Sequence, residues 1–146
     1  MEQRVNIRET QPEAWKALYH LGVVLSKGSL TPIQKHLIKI RASQLNACAY
    51  CIDMHTKEAL KIGETPQRIF LLNAWKETDF FTEEEKAILA LTEEVTLLHS
   101  HGVSDNTYRQ AEKYFSPTMI AEIIMSIVLM NAWNRVAVSS RLPIAK

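Results

Sequence analysis

The chain reads as an all-α protein, and three observations lead there. No window alternates apolar and polar residues between turn signals for long enough to make a sheet. Helix-start signatures recur instead, at Thr31-Pro32, Thr65-Pro66, Thr82 with Glu85, and Ser116-Pro117. The 4 glycines and 5 prolines fall where they punctuate helices rather than in clusters that would mark linkers. About six to seven helices are expected, in a single domain spanning residues 1–146.

The first helix is expected over about Gln11 to Ser26, with Thr10 and Glu13 as a capping box and Lys27-Gly28 as the stop. Trp15, Leu18, Gly22 and Leu25 form one stripe along it. Pro32 opens a second helix whose inner face is Ile33, Leu37 and Ile40, ending near Asn46. A third runs from the cysteines to about Ile62, ahead of Gly63. The helix after Pro66 carries Ile69, Leu72 and Trp75. Thr82 and Glu85 box the start of the next, which runs through Ala87, Leu89, Leu91, Val95 and Leu98. Gly102 interrupts, and Ser104 caps a short segment to about Phe115. The last helix, about Pro117 to Ser140, is apolar on more than one face, but Glu122, Ser126, Asn131 and Asn134 break any membrane-length run. It is expected to be a central helix covered in part by another subunit of a homo-oligomer.

At 146 residues the chain is long enough for a real core, and 47% hydrophobic with 23% charged residues is ordinary for a soluble protein. A net charge of +1 gives no case for nucleic acid or a membrane surface as partner. Met1-Glu2-Gln3-Arg4 lacks the apolar core of a signal peptide, so a cytoplasmic location is expected. In a reducing compartment, two cysteines so close together are reactive more often than they are a structural staple.

Those cysteines, Cys48 and Cys51, form a C-x-x-C pair with His55 four residues beyond. At the start of a helix they share one face, and His55 stacks a turn above Cys51. The free N–H groups and positive dipole end of the helix favour a thiolate, and the imidazole can take or return its proton. A c-type haem site would place histidine directly after the second cysteine, where Ile52 stands. Structural zinc takes four ligands where this cluster offers three, so no metal and no cofactor is expected. Simple burial of two small residues is a further alternative. The spacing favours dithiol redox chemistry. A thioredoxin-like C-x-x-C follows a strand, whereas this one follows a helix, so the pair lies between two helices.

The stretch Ala42-Ser43-Gln44-Leu45-Asn46-Ala47-Cys48-Ala49-Tyr50-Cys51-Ile52-Asp53-Met54-His55-Thr56-Lys57 resembles the core of the alkylhydroperoxidase AhpD-like proteins, in the carboxymuconolactone decarboxylase superfamily. Gly63 with Glu64-Thr65, Leu72-Asn73-Ala74-Trp75 and Asn131-Ala132-Trp133-Asn134-Arg135 extend the resemblance over most of the chain. The resemblance implies a thiol peroxidase. In it Cys51 attacks a small-molecule hydroperoxide, Cys48 closes the disulfide, His55 relays protons and an external dithiol restores the thiols. The glutamate that such a relay usually carries twelve residues before the first cysteine is replaced here by His36. The base would then be His36 itself, the relay would run through Glu58 on the same helix as His55, or the site would be degenerate, with weak peroxidase activity. The alternatives are a redox sensor or disulfide-exchange protein, and the superfamily's lactone decarboxylases, which do not depend on a cysteine pair. No arginine cluster for a carboxylate substrate stands out, and His20, His99 and His101 carry no spacing argument.

Overall fold

A computed structural model describes residues 2–144. Helix α1 spans Ile7–Thr10, α2 Pro12–Ser26, α3 Pro32–Leu45, α4 Ala49–Lys61 and α5 Pro66–Leu71. A 3-10 segment, Leu72–Glu77, continues α5; α6 is Glu83–Thr96, α7 Leu98–His101, α8 Asp105–Glu112 and α9 Pro117–Ser140. The described residues contain no strand. Seven of the α-helices exceed a single turn, and α1 and α7 are single turns beyond the expected six to seven.

Local chemistry sets most of the boundaries. The side chains of Thr31 and Thr82 accept from the backbone N–H three residues on, and Gln34 and Glu85 return the bond, completing capping boxes. Ser104 and Ser116 cap α8 and α9 in the same way through one bond each. The box expected at Thr10 does not form. Pro12 occupies the first position of α2 and forces Gln11 out of helical geometry (φ −135°, ψ 59°), so Gln11 becomes the N-cap. Thr10 closes α1 instead, its hydroxyl donating to the Asn6 carbonyl at 2.9 Å. Two helices also end early: α6 stops at Thr96 rather than Leu98, and α8 at Glu112 rather than Phe115.

Helix α3 is the axis of the bundle, packed against α4, α6 and α9. Leu30, Ile38, Ile88, Leu91, Phe115, Ile120, Ile123 and Ile127 form the largest buried cluster between α3, α6 and α9. Leu37, Ile40, Ala59, Leu72, Trp75, Phe81 and Leu89 form a second on the other side of α3. The third is small and holds both cysteines with Ala42, Met130 and Ala137. Glu122, one of the polar residues interrupting α9, accepts from the backbone N–H groups of Ser29 (2.8 Å) and Leu30 (3.2 Å) and so ties down the α2–α3 connection. Among the described residues α9 alone is long and apolar enough to cross a membrane. Its inner face packs into the first and third clusters, and Asn131 and Asn134 form hydrogen bonds to other helices. Met125, Val128 and Val138 on its outer face are exposed in the single chain.

Candidate active site

The site is built where α3 turns into α4. Helix α3 closes in a Schellman arrangement: Cys48 N–H donates to the Ser43 carbonyl at 2.9 Å and Ala47 N–H to the Gln44 carbonyl at 3.1 Å. The left-handed position that this motif usually gives to glycine is held by Ala47 (φ 50°), at a cost of about 1 kcal/mol. Three asparagines hold the turn in place. Asn46 Nδ2 donates to Asn131 Oδ1 and Asn134 Oδ1, each at 3.0 Å, and Asn134 Nδ2 donates to the Ser43 hydroxyl at 3.0 Å. Asn131 Nδ2 reaches the Thr96 hydroxyl at 3.0 Å, which adds α6 to the clamp.

Cys48 is at once the last residue of that turn and the N-cap of α4, and Cys51 lies in the helix's first turn. Their Cα atoms are 5.4 Å apart and their sulfurs are paired. The Cys51 N–H also points at Cys48 Sγ, at 3.4 Å. The helix start therefore brings one backbone donor to Cys48 Sγ and sets both cysteines at the positive end of the α4 dipole. Both residues are almost fully enclosed, at 1% and 2% exposure.

Cys51 opens inward, onto a cavity of about 550 Å³ between α2, α3, α4 and α9. Trp15, Tyr19, Met54, Leu129, Met130 and Trp133 make most of its wall apolar, and Trp15 meets Trp133 edge to face with ring centroids 4.8 Å apart. Helix α2 has no fully buried residue. The expected stripe of Trp15, Leu18, Gly22 and Leu25 is half-buried because α2 roofs this cavity rather than filling the core.

The polar end of the cavity carries Lys35, Lys39, His55 and Glu58. His55 Nδ1 lies 2.9 Å from Glu58 Oε2. Burial, the largest influence, pushes the His55 imidazole down to about 4 from its usual 6.5; the Glu58 hydrogen bond opposes this and the Lys39 charge adds to it. Partial burial would raise Glu58, but the bond to His55 and the charges of His55 and Lys39 outweigh it and hold the carboxyl below its usual range. At neutral pH the pair is therefore a neutral imidazole beside a carboxylate. Because a carboxylate only accepts, Nδ1 carries the proton and Nε2 keeps a free lone pair.

His36, on α3, faces this pair with its ring centroid 6.0 Å from that of His55. Burial, then the Lys39 charge, lowers its pKa, and its buried Nδ1 has no hydrogen-bond partner. His36 makes no hydrogen bond to His55; the partner of His55 is Glu58. All five sequence-derived candidates, Cys51, Cys48, His55, His36 and Glu58, thus fall in one neighbourhood. The asparagine clamp, the aromatic cavity wall and Lys39 were not singled out from sequence. The motifs containing Asn46, Asn131 and Asn134 carried the only signal for the clamp.

A paired C-x-x-C at a helix start, walled into an all-helical bundle beside a neutral histidine, defines a helical dithiol protein of the AhpD-like class. The carboxymuconolactone decarboxylase family pattern matches residues 12–94, and the chain belongs to that family. It is 41% identical over 139 residues to the uncharacterized protein YdfG of Bacillus subtilis, covering 95% of each chain. Among solved structures it is similar to a protein of unknown function from Agrobacterium tumefaciens, a candidate AhpD antioxidant-defence protein (36% identity, TM-score 0.96, 99% of each chain). It is also similar to the debrominase Bmp8, at 19% identity and TM-score 0.84, over 94% of this chain and 74% of that one; this likeness bears on the fold alone.

Proposed function

We propose that this protein is a thiol-dependent peroxidase that reduces organic hydroperoxides through Cys51 and Cys48. The observation carrying this reading is the paired C-x-x-C whose inner sulfur walls an apolar cavity beside the His55–Glu58 pair. His55 Nε2 takes the Cys51 proton, and the thiolate attacks the outer oxygen of ROOH. The O–O bond breaks, the alkoxide leaves as ROH with that proton, and Cys51 becomes a sulfenic acid. The Cys48 thiol then displaces hydroxide from it, giving the disulfide and water. An external dithiol restores both thiols by exchange and is itself oxidised.

Two features support a small-molecule substrate over disulfide exchange with a protein. Both cysteines are almost fully enclosed, so Cys51 is reached through the cavity, and the cavity has room for an alkyl or aromatic hydroperoxide. One observation favours a second reading, reductive dehalogenation by the same dithiol. The wall is rich in aromatic rings (Trp15, Tyr19, Tyr50 and Trp133) that would suit a halogenated aromatic ring.

The test is turnover of reduced protein with tert-butyl hydroperoxide and a dithiol. Cys51→Ser is expected to abolish peroxide consumption, and Cys48→Ser to leave a sulfenic acid that dimedone traps. Equal turnover in Cys51→Ser and wild type would remove the reading.

A further inference from the structure

The structure brings together a donor set that does not include sulfur. His36 from α3, with His55 and Glu58 from α4, place one ligand atom each within 4.8 Å of one another. We infer that His36, His55 and Glu58 bind a divalent transition-metal ion of the Zn2+ class. Along the sequence only Cys48, Cys51 and His55 cluster as ligands; the fold supplies a different set, two imidazoles and a carboxylate.

Four observations carry the inference. An imidazole and a carboxylate three residues apart on one helix, completed by an imidazole from the facing helix, is how helical bundles build metal centres. Ligand bonds of about 2.1 Å give donor separations of about 3.0–3.4 Å, and His55 Nδ1 and Glu58 Oε2 are already 2.9 Å apart. The wider separation to His36, up to 4.8 Å, closes by a side-chain movement of about 1.4–1.8 Å. The His36 Nδ1 is buried without a hydrogen-bond partner, so no other protein group holds the ring through that atom. Finally, His55 and Glu58 open on the cavity, so water can complete the coordination shell. Lys39 opposes a cation here, since its charge acts on both imidazoles.

The site shares His55 and Glu58 with the peroxidase reading, and its test needs no turnover. Zn2+ is titrated calorimetrically into the full chain with Cys48 and Cys51 held as the disulfide, so that thiols cannot contribute. Co2+ absorption reports coordination in parallel. One ion per chain is expected, with affinity reduced at least ~10-fold in His36→Ala and in Glu58→Gln. Lys39→Met should tighten binding several-fold, and the control His99→Ala should leave it unchanged. Glu58 is half-exposed, so Glu58→Gln keeps the test decisive even if His36→Ala folds poorly. No binding by the disulfide form, or binding that Glu58→Gln leaves intact, would overturn the inference. So would a loss in His99→Ala equal to that in the site variants.

Discussion

Helix α3 presents polar residues to two sides, and the two networks are built differently. Toward α6, Arg41 Nε donates to Glu93 Oε1 at 3.0 Å while Nη1 reaches Gln44 at 3.1 Å and Asn73 at 2.8 Å. Glu93 also accepts from Trp75 Nε1 at 2.7 Å and Lys76 Nζ at 2.8 Å. Every charged group there has a partner, with Glu93 shared between Arg41 and Lys76. Toward α4, the same helix offers His36 with an orphaned nitrogen and Lys39 with a pKa lowered chiefly by burial, facing the His55–Glu58 pair. Buried polar groups are ordinarily satisfied because leaving them bare costs about 1–3 kcal/mol each. A network left incomplete beside a cavity has room for something the protein itself does not supply. The contrast separates a polar cluster that holds the fold from one that is available for chemistry.

If that distinction is right, substitutions on the two sides should fail in different ways. The largest effect is expected on the α4 side: Cys51→Ser lowers hydroperoxide turnover by at least ~1000-fold, to the level without protein. Next, Glu93→Ala strands the nearly buried Arg41 and should cost about 3 kcal/mol in chemical denaturation, with turnover per folded molecule retained. Loss of turnover in Glu93→Ala without loss of stability would contradict the division drawn here.

Acid should act on the α4 side at a comparable scale. The unfolded chain takes up a proton at His55 near pH 6.5, whereas the folded chain resists until about pH 4. Over that window the unfolded state binds more protons, so stability falls as the pH falls, by up to roughly 3 kcal/mol. The depressed pKa of Glu58 has the same sign: its contribution is present at neutral pH and is lost as the carboxylate protonates on acidification. Melting temperatures recorded from pH 7 to pH 4 should drop in wild type and flatten in His55→Gln.

Glu58→Gln ranks below these. It replaces the carboxylate that fixes the His55 tautomer by a neutral amide able to accept from or donate to Nδ1, and should slow turnover about 10-fold, with the pH profile shifted and little change in melting temperature. The smallest effect is expected for His36→Leu in metal-free protein. It deletes an unsatisfied nitrogen and should leave stability unchanged or raise it by up to about 1 kcal/mol. A loss of several kcal/mol would show that His36 has a structural partner after all.

Much of this molecule could be read along the chain, and the division follows the range of the forces involved. Thr31, Thr82, Ser104 and Ser116 act on backbone groups three residues away, so α3, α6, α8 and α9 start where the sequence says. Thr10 misled because Pro12 restricts Gln11, a local rule that outranks the box. The cysteine turn was legible as a motif. What holds it was not, because Asn46 finds its partners 85 and 88 residues later.

By itself, the sequence determined the all-α class, most of the helix starts, and the placing of Cys51 and His55 one turn apart at the start of one helix beside Cys48, because these follow from hydrogen bonds and helical spacing over a few residues. Only the tertiary structure decided that Glu58 rather than His36 is the partner of His55, that the second sulfur opens inward onto an aromatic-walled cavity, and that His36 is left with an unsatisfied nitrogen. Those outcomes depend on how α2, α3, α4 and α9 pack, which sets burial and therefore every pKa at the site. No spacing along a single helix carries that information.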